Sequence, residues 1–212
     1  MADKPQFRGN AYREFAELNP WSKRRHEAAL EPDLPIIDPH HHFWDDDTRG
    51  RYLAPELLED MASGHNIIAT VYVETASMYR ADGPAAMRPV GEVEFVNGVA
   101  AMGASGRYGK TRLCAGIVGH ADLTLGDAVQ PVLEALIAAG NGRLRGIRYG
   151  LGWDAGNAKA GQFKLKPQVP RYLALDPVFR KGFACLRPLG LSFDASLVYT
   201  QLPDLVDLLR AF

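Results

Sequence analysis

The feature that most constrains this chain is a repeated alternation of short apolar runs with longer amphipathic segments. The runs "LPIID" (34–38), "NIIATVYVET" (66–75), "RLCAGIVGH" (112–120), "RLRGIRY" (143–149) and "LSFDAS" (191–196) are rich in branched residues. That composition and length suit buried strands. Each run is followed by a stretch with helical periodicity, at 55–64, 88–105, 127–140, 176–190 and 202–212. Pro55 and Gly64 punctuate the first of these, and Gly140 follows the third, in keeping with proline at helix starts and glycine past helix ends. Consecutive strand–helix units imply a parallel sheet, because parallel neighbours need a crossover connection. The strands are apolar on both faces, as expected when helices cover one side and a core fills the other.

Residues 1–33 stand apart from this rhythm. They are polar, contain Pro5, Pro20 and Pro32, and carry the basic run "KRRH" at 23–26. They read as an extension outside a main domain at 34–212, with a helical turn or two in "NAYREFAELN" (10–19). The net charge of −1 offers no basic excess for nucleic acid or an anionic membrane surface. No run approaches the roughly 18–20 apolar residues of a membrane span. Cys114 and Cys185 lie in apolar contexts and read as small core residues rather than a disulfide framework. The expectation is a cytoplasmic protein. The segment "GNGRLRG" (140–146) precedes a strand instead of opening a helix, so it is no dinucleotide-binding loop.

Half of the six histidines sit in "IIDPHHHFWD" (36–45). Side chains alternate along a strand, so Asp38, His40 and His42 point one way and His41 the other. Two imidazoles at this spacing can converge on one metal ion, and neutral imidazole suits zinc and its neighbours. An Asp-x-His-x-His closing a first strand resembles the amidohydrolase superfamily. The wording around it is closest to the amidohydrolase-2 branch of metal-dependent hydrolases. The stretches "VYVET", "CAGIVGHADL", "RLRGIRYGLGWD" and "GLSFDASLVYTQLPDL" add to the resemblance, which runs from about residue 34 onward.

The resemblance implies an α/β fold, a (β/α)8 TIM barrel of the amidohydrolase type with about five βα units in this chain. It implies His40 and His42 as ligands of a divalent metal, zinc foremost, or as substrate-binding residues in branches that have lost the metal. The implied reaction is hydrolysis of a small carboxylated or sugar lactone by water attack on the carbonyl. The alternatives are a metal-dependent decarboxylase of the same type, or a non-catalytic remnant that partners another chain. Barrels of this kind take about 250 residues, and no histidine follows His120. The general-base aspartate of the family is therefore expected beyond Phe212. On that expectation the 212 residues alone are inactive, and a completing chain or a second copy closes the barrel.

Three further residues at strand ends are candidates for substrate binding. His120 ends the third strand and either lines the pocket mouth or bonds a loop backbone. Arg148, near the end of the fourth and on the face of Leu144 and Gly146, either grips a carboxylate through its fork or forms a structural ion pair. Glu74 ends the second on the face of Tyr72, and either meets substrate, orients His40 or His42, or forms a rim salt bridge. Asp194 is read as structural. The fourth strand has Arg148 where a binuclear subtype would need lysine, which argues for a mononuclear or metal-free site. Trp44, Tyr79 and Trp153 follow strands and either wall a pocket or pack.

Overall fold

The computed structural model describes residues 15–25, 27–47, 49–153 and 169–212. In chain order the elements are α1 (Phe15–Ser22), β1 (Pro35–His41), β2 (Trp44–Asp46), β3 (Gly50–Tyr52), α2 (Ala54–Met61), β4 (Asn66–Val73), α3 (Val90–Ala104), β5 (Arg112–Gly119), α4 (Gln130–Gly140), β6 (Leu144–Gly150), α5 (Pro177–Ala184), β7 (Ser192–Ser196) and α6 (Leu202–Ala211). Of the helix expected in 10–19, residues 10–14 lie outside the described residues, and the rest falls in α1.

The five anticipated strands form one sheet in the order β1-β4-β5-β6-β7, and every neighbouring pair is parallel. This is a curled, partial TIM barrel. Its parallel strands place all their C-terminal ends at one rim, which is where such barrels gather functional residues. A short antiparallel hairpin, β2 with β3, interrupts the first crossover. Three-residue strands carry too little periodicity to be read from sequence.

The core lies between the sheet and the helices. Val93 and Val96 of α3, and Leu133 and Leu136 of α4, meet Ile117 and Leu144 of the sheet, all at 7% exposure or less. Each such side chain contributes about 1.5–3 kcal/mol through burial. Residues Leu123–Gly140 reach a mean hydropathy of 1.2 over 18 residues, longer than any apolar run the sequence reading singled out. They are not one span. The backbone breaks at Gly126 (φ 60°), and the α-helical part packs on the sheet.

Local chemistry sets the helix ends. Asp176 caps α5, its Oδ1 accepting the Val178 and Phe179 N–H groups at 2.8 Å each. Such a cap supplies acceptors for amides that a helix start leaves unpaired. Gly140 is the last residue of α4 rather than the one beyond it, and Asn141 takes the left-handed position at φ 45°, a conformation asparagine tolerates.

Candidate active site

The histidine run closes β1. The Asp38 carboxylate accepts the backbone N–H of His40 at 3.1 Å, bracing the irregular stretch of β1 between Asp38 and His41. His40 and His42 share a face, their Nε2 atoms 3.1 Å apart and their rings nearly perpendicular at 82°. The Nδ1–H of His42 donates to the Val73 carbonyl at 2.7 Å. That bond fixes its tautomer and leaves the Nε2 lone pair facing His40. Burial foremost lowers the His42 pKa, with His40 and the Arg148 and Arg49 charges adding to it. A neutral, oriented imidazole is the form that binds a metal.

His41 points into the core. It is 7% exposed, and its ring lies 5.0 Å from Phe43 and 5.7 Å from Tyr72. The Thr70 hydroxyl accepts the Cys114 N–H at 2.9 Å and stands 3.0 Å from His41 Nε2. Burial lowers the His41 pKa to about 4, so this ring is neutral near neutral pH.

The β2–β3 hairpin covers His42. The Trp44 ring sits 6.0 Å from it, Tyr52 packs on Trp44 at 5.8 Å, and Arg49 lies over Trp44 at 5.4 Å. Arg49 pairs with Asp46 at 2.7 Å and donates to the Thr75 hydroxyl at 2.8 Å, tying the hairpin to the loop after β4. Sequence reasoning found Trp44 and missed Arg49. The only signal was its place beside an aspartate-rich turn.

A cleft of about 270 Å³ opens at this rim and gathers His42, Glu74, His120, Arg148 and Ser196 from five strand ends. His40 adjoins it through His42 and is not part of its lining. Glu74 donates its backbone N–H to the Val118 carbonyl at 2.8 Å, which holds the start of its loop against β5. The His120 Nδ1–H donates to the Arg148 carbonyl at 3.1 Å, and its ring stacks on Tyr149 at 5.4 Å. Arg148 Nε lies 3.1 Å from Asp194 Oδ2 in an ion pair, and among the described residues this buried atom has no hydrogen bond of proper geometry. A larger cleft of about 680 Å³ opens between α3 and the start of β5, and contains none of the anticipated residues.

Two face assignments change. Glu74 lines the cleft, whereas Tyr72 turns to the helices and bonds Glu92 of α3 at 2.8 Å. Arg148 lines the cleft, whereas Leu144 packs on the helix side against Gly119 and Gly140. In the first case β4 ends at Val73, so strict alternation does not carry to Glu74. In the second, a register shift between Ile117 and Val118 interrupts the β5–β6 ladder. Tyr79 is largely enclosed, with burial and then the Glu92 and Glu74 carboxylates raising its pKa. Trp153 stacks under Arg171, 4.9 Å from its guanidinium carbon, and lies outside the cleft lining.

The donor geometry suits part of a metal shell. Two ligands each about 2.0–2.1 Å from one ion stand roughly 3.0–3.4 Å apart, and the two Nε2 atoms match this at 3.1 Å. Among the described residues no third His, Cys, Asp or Glu joins them in a cluster.

Known proteins resemble this chain in sequence and in fold. The amidohydrolase family model matches residues 37–212. An uncharacterized protein of Sinorhizobium fredii, y4mH, is 30% identical over 200 residues, covering 85% of this chain and 59% of its own length. The crystal structure of an amidohydrolase from Burkholderia multivorans with bound HEPES superposes with a TM-score of 0.52 at 23% identity, covering 82% of this chain and 53% of that one. Amidohydrolase 2 from Bifidobacterium longum subsp. infantis gives 0.50 at 20% identity, with 84% and 58% covered. The chain thus spans between half and three fifths of the length of these relatives. It belongs to the amidohydrolase family.

Proposed function

We propose that this chain carries the first part of a metal-dependent hydrolase site that opens a small carboxylated or sugar lactone. The observation that carries the reading is the His40–His42 pair, with Nε2 atoms 3.1 Å apart at the end of the first sheet strand and His42 oriented by Val73. Family membership supports hydrolysis as the reaction class. His40 and His42 would hold a divalent ion, zinc foremost, which when bound would supply water of lowered pKa near neutrality. The Val73 carbonyl keeps the His42 proton on Nδ1. Arg148, in the cleft lining, would take a substrate carboxylate, since a guanidinium fork matches that group. Glu74 and His120 would face the ring being opened, and Trp44 would limit water above His42.

The test is metal content and ring opening together. Wild type and the double variant His40→Ala, His42→Ala are loaded with zinc, desalted and assayed for bound metal. The double variant should lose the metal. Equal content in both would remove the ligand assignment. A panel of carboxylated and sugar lactones against candidate acids then separates ring opening from carbon dioxide release. Release without ring opening would replace the lactonase reading by the decarboxylase one.

A further inference from the structure

Glu92 occupies a position where the fold would otherwise place an apolar residue. It lies in the first turn of α3 beside Val93 and is 1% exposed. Burying a carboxyl is costly unless it is well bonded. Its Oε1 accepts three hydrogen bonds, from the Tyr72 hydroxyl at 2.8 Å, the Thr75 N–H at 2.9 Å and the Ser77 N–H at 3.0 Å. Its Oε2 has no partner among the described residues. Thr75 and Ser77 follow β4, in a loop where Ala76 and Met78 hold positive φ angles of 57° and 55°. Non-glycine residues stay in that region only when their surroundings fix them.

The helix start is shaped to receive this loop. A Cβ on Gly91 would stand 2.7 Å from Arg80 N and 2.8 Å from the Met78 carbonyl oxygen. Only glycine lets the loop lie this close. On the other side Arg49 donates to the Thr75 hydroxyl. The segment so held carries Glu74, Thr75 and Ala76 into the cleft. It begins beside Val73, whose carbonyl orients His42.

We propose that Glu92 is a positioning residue that clamps the Glu74–Ala76 wall of the cleft from behind and, through the adjoining Val73 carbonyl, holds His42 in its metal-binding orientation. The second half rests on the reading of His40 and His42 as metal ligands. The first half does not.

The test uses the full chain with Glu92→Ala and Glu92→Gln, read by amide hydrogen exchange without metal and by zinc titration. Glu92→Ala should speed exchange at Thr75 and Ser77 by about tenfold or more while Ile117 and Leu133 keep their protection. It should also weaken zinc binding by roughly tenfold or more, as loss of an outer partner of a ligand does. Glu92→Gln keeps an acceptor oxygen and should restore both. If Glu92→Ala does not fold, Glu92→Leu fills the volume without accepting a hydrogen bond and carries the same expectations. Unchanged exchange at Thr75 and Ser77, or equal loss of protection throughout the chain, overturns the proposal. So does a glutamine variant no better than alanine. Faster loop exchange with unchanged zinc affinity overturns the link to His42. A wild type that binds no zinc while the exchange pattern holds removes the metal reading and leaves the clamp standing.

Discussion

Cys114 and His41 set a sharp test of how the core is built. The Cys114 Sγ lies 4.0 Å from His41 Nε2, a pairing that in an electropositive, exposed site makes a reactive thiolate. Here the reverse is expected. Cys114 is 0% exposed, and burial pushes its pKa from 9.0 up to about 12 despite the nearby Arg143 charge. His41, lowered to about 4, carries no positive charge to stabilise a thiolate. At pH 8 a thiol of pKa 9.0 is roughly one-tenth ionised, and one at about 12 roughly one part in ten thousand. Thiolate chemistry should thus be about 10³-fold slower in the folded chain than in the unfolded one, before access is counted. The assay alkylates native protein at pH 8 with iodoacetamide, quenches, unfolds, and labels the remainder with a heavy isotope form. Mass spectrometry reads the two cysteine peptides separately, with the partly exposed Cys185 as internal comparison. Alkylation of native Cys114 within about tenfold of its unfolded rate would refute the reasoning, since it requires an accessible and ionised sulfur.

The other expectations concern single interactions. Burial raises the Glu92 pKa above its ordinary 4.5 against the opposing pull of Thr75, Ser77, Tyr72 and Arg49, with Tyr79 also near it. A carboxyl raised in the folded state contributes stability that is fully present below its unfolded pKa and is lost as pH rises through the folded value. Urea unfolding of wild type and Glu92→Gln should therefore show wild type losing ground to the variant between pH 4.5 and 7, and a gap that stays constant would contradict this. Gly91→Ala meets backbone atoms at 2.7 and 2.8 Å, so it should cost about 1–3 kcal/mol in the same measurement. Leu133→Ala, at a fully buried site in α4, should cost about 2–5 kcal/mol, read as a shift in urea midpoint without change of slope. Asp194→Ala should change stability by no more than about 1 kcal/mol, because its ion pair with Arg148 is 40% exposed on the aspartate side; a loss of several kcal/mol would mark the pair as structural.

The sheet was readable because its signal is local. Branched apolar runs at 66–75 and 112–120 became β4 and β5, and the parallel order followed from the intervening helices. The His40–His42 pairing was readable for the same reason, since alternation acts over two residues. Alternation failed where the backbone departs from a regular strand. Cys114 sits at φ 49° inside β5, and the ladder slips on both sides of that strand, by two residues against β4 and by one against β6. Such bulges depend on how neighbouring strands twist and pack, and no run of letters announces them. Glu92 escaped notice because it sits among apolar residues in a helix, with nothing nearby in sequence to name the three donors it meets. The β2–β3 hairpin escaped because its value lies in Arg49 and Trp44 closing over a histidine from another element.

These omissions share a cause that bears on the chemistry. The residues facing the cleft are brought together by parallel strands, which bring all strand ends to one rim whatever side chains they carry. The fold therefore decides which positions meet, and only loosely how each side chain is aimed. Aim comes from the groups behind the rim, the Asp38 carboxylate on the His40 amide, the Val73 carbonyl on His42 and the Arg148 carbonyl on His120. Two of these three are backbone carbonyls, which no substitution removes. Their direction can be altered only through what holds their own peptides. For Val73 that is the loop under Glu92, and for Arg148 the pairing of β6 with β7. Changes in these supports should therefore alter ligand geometry while every cleft-facing side chain remains in place.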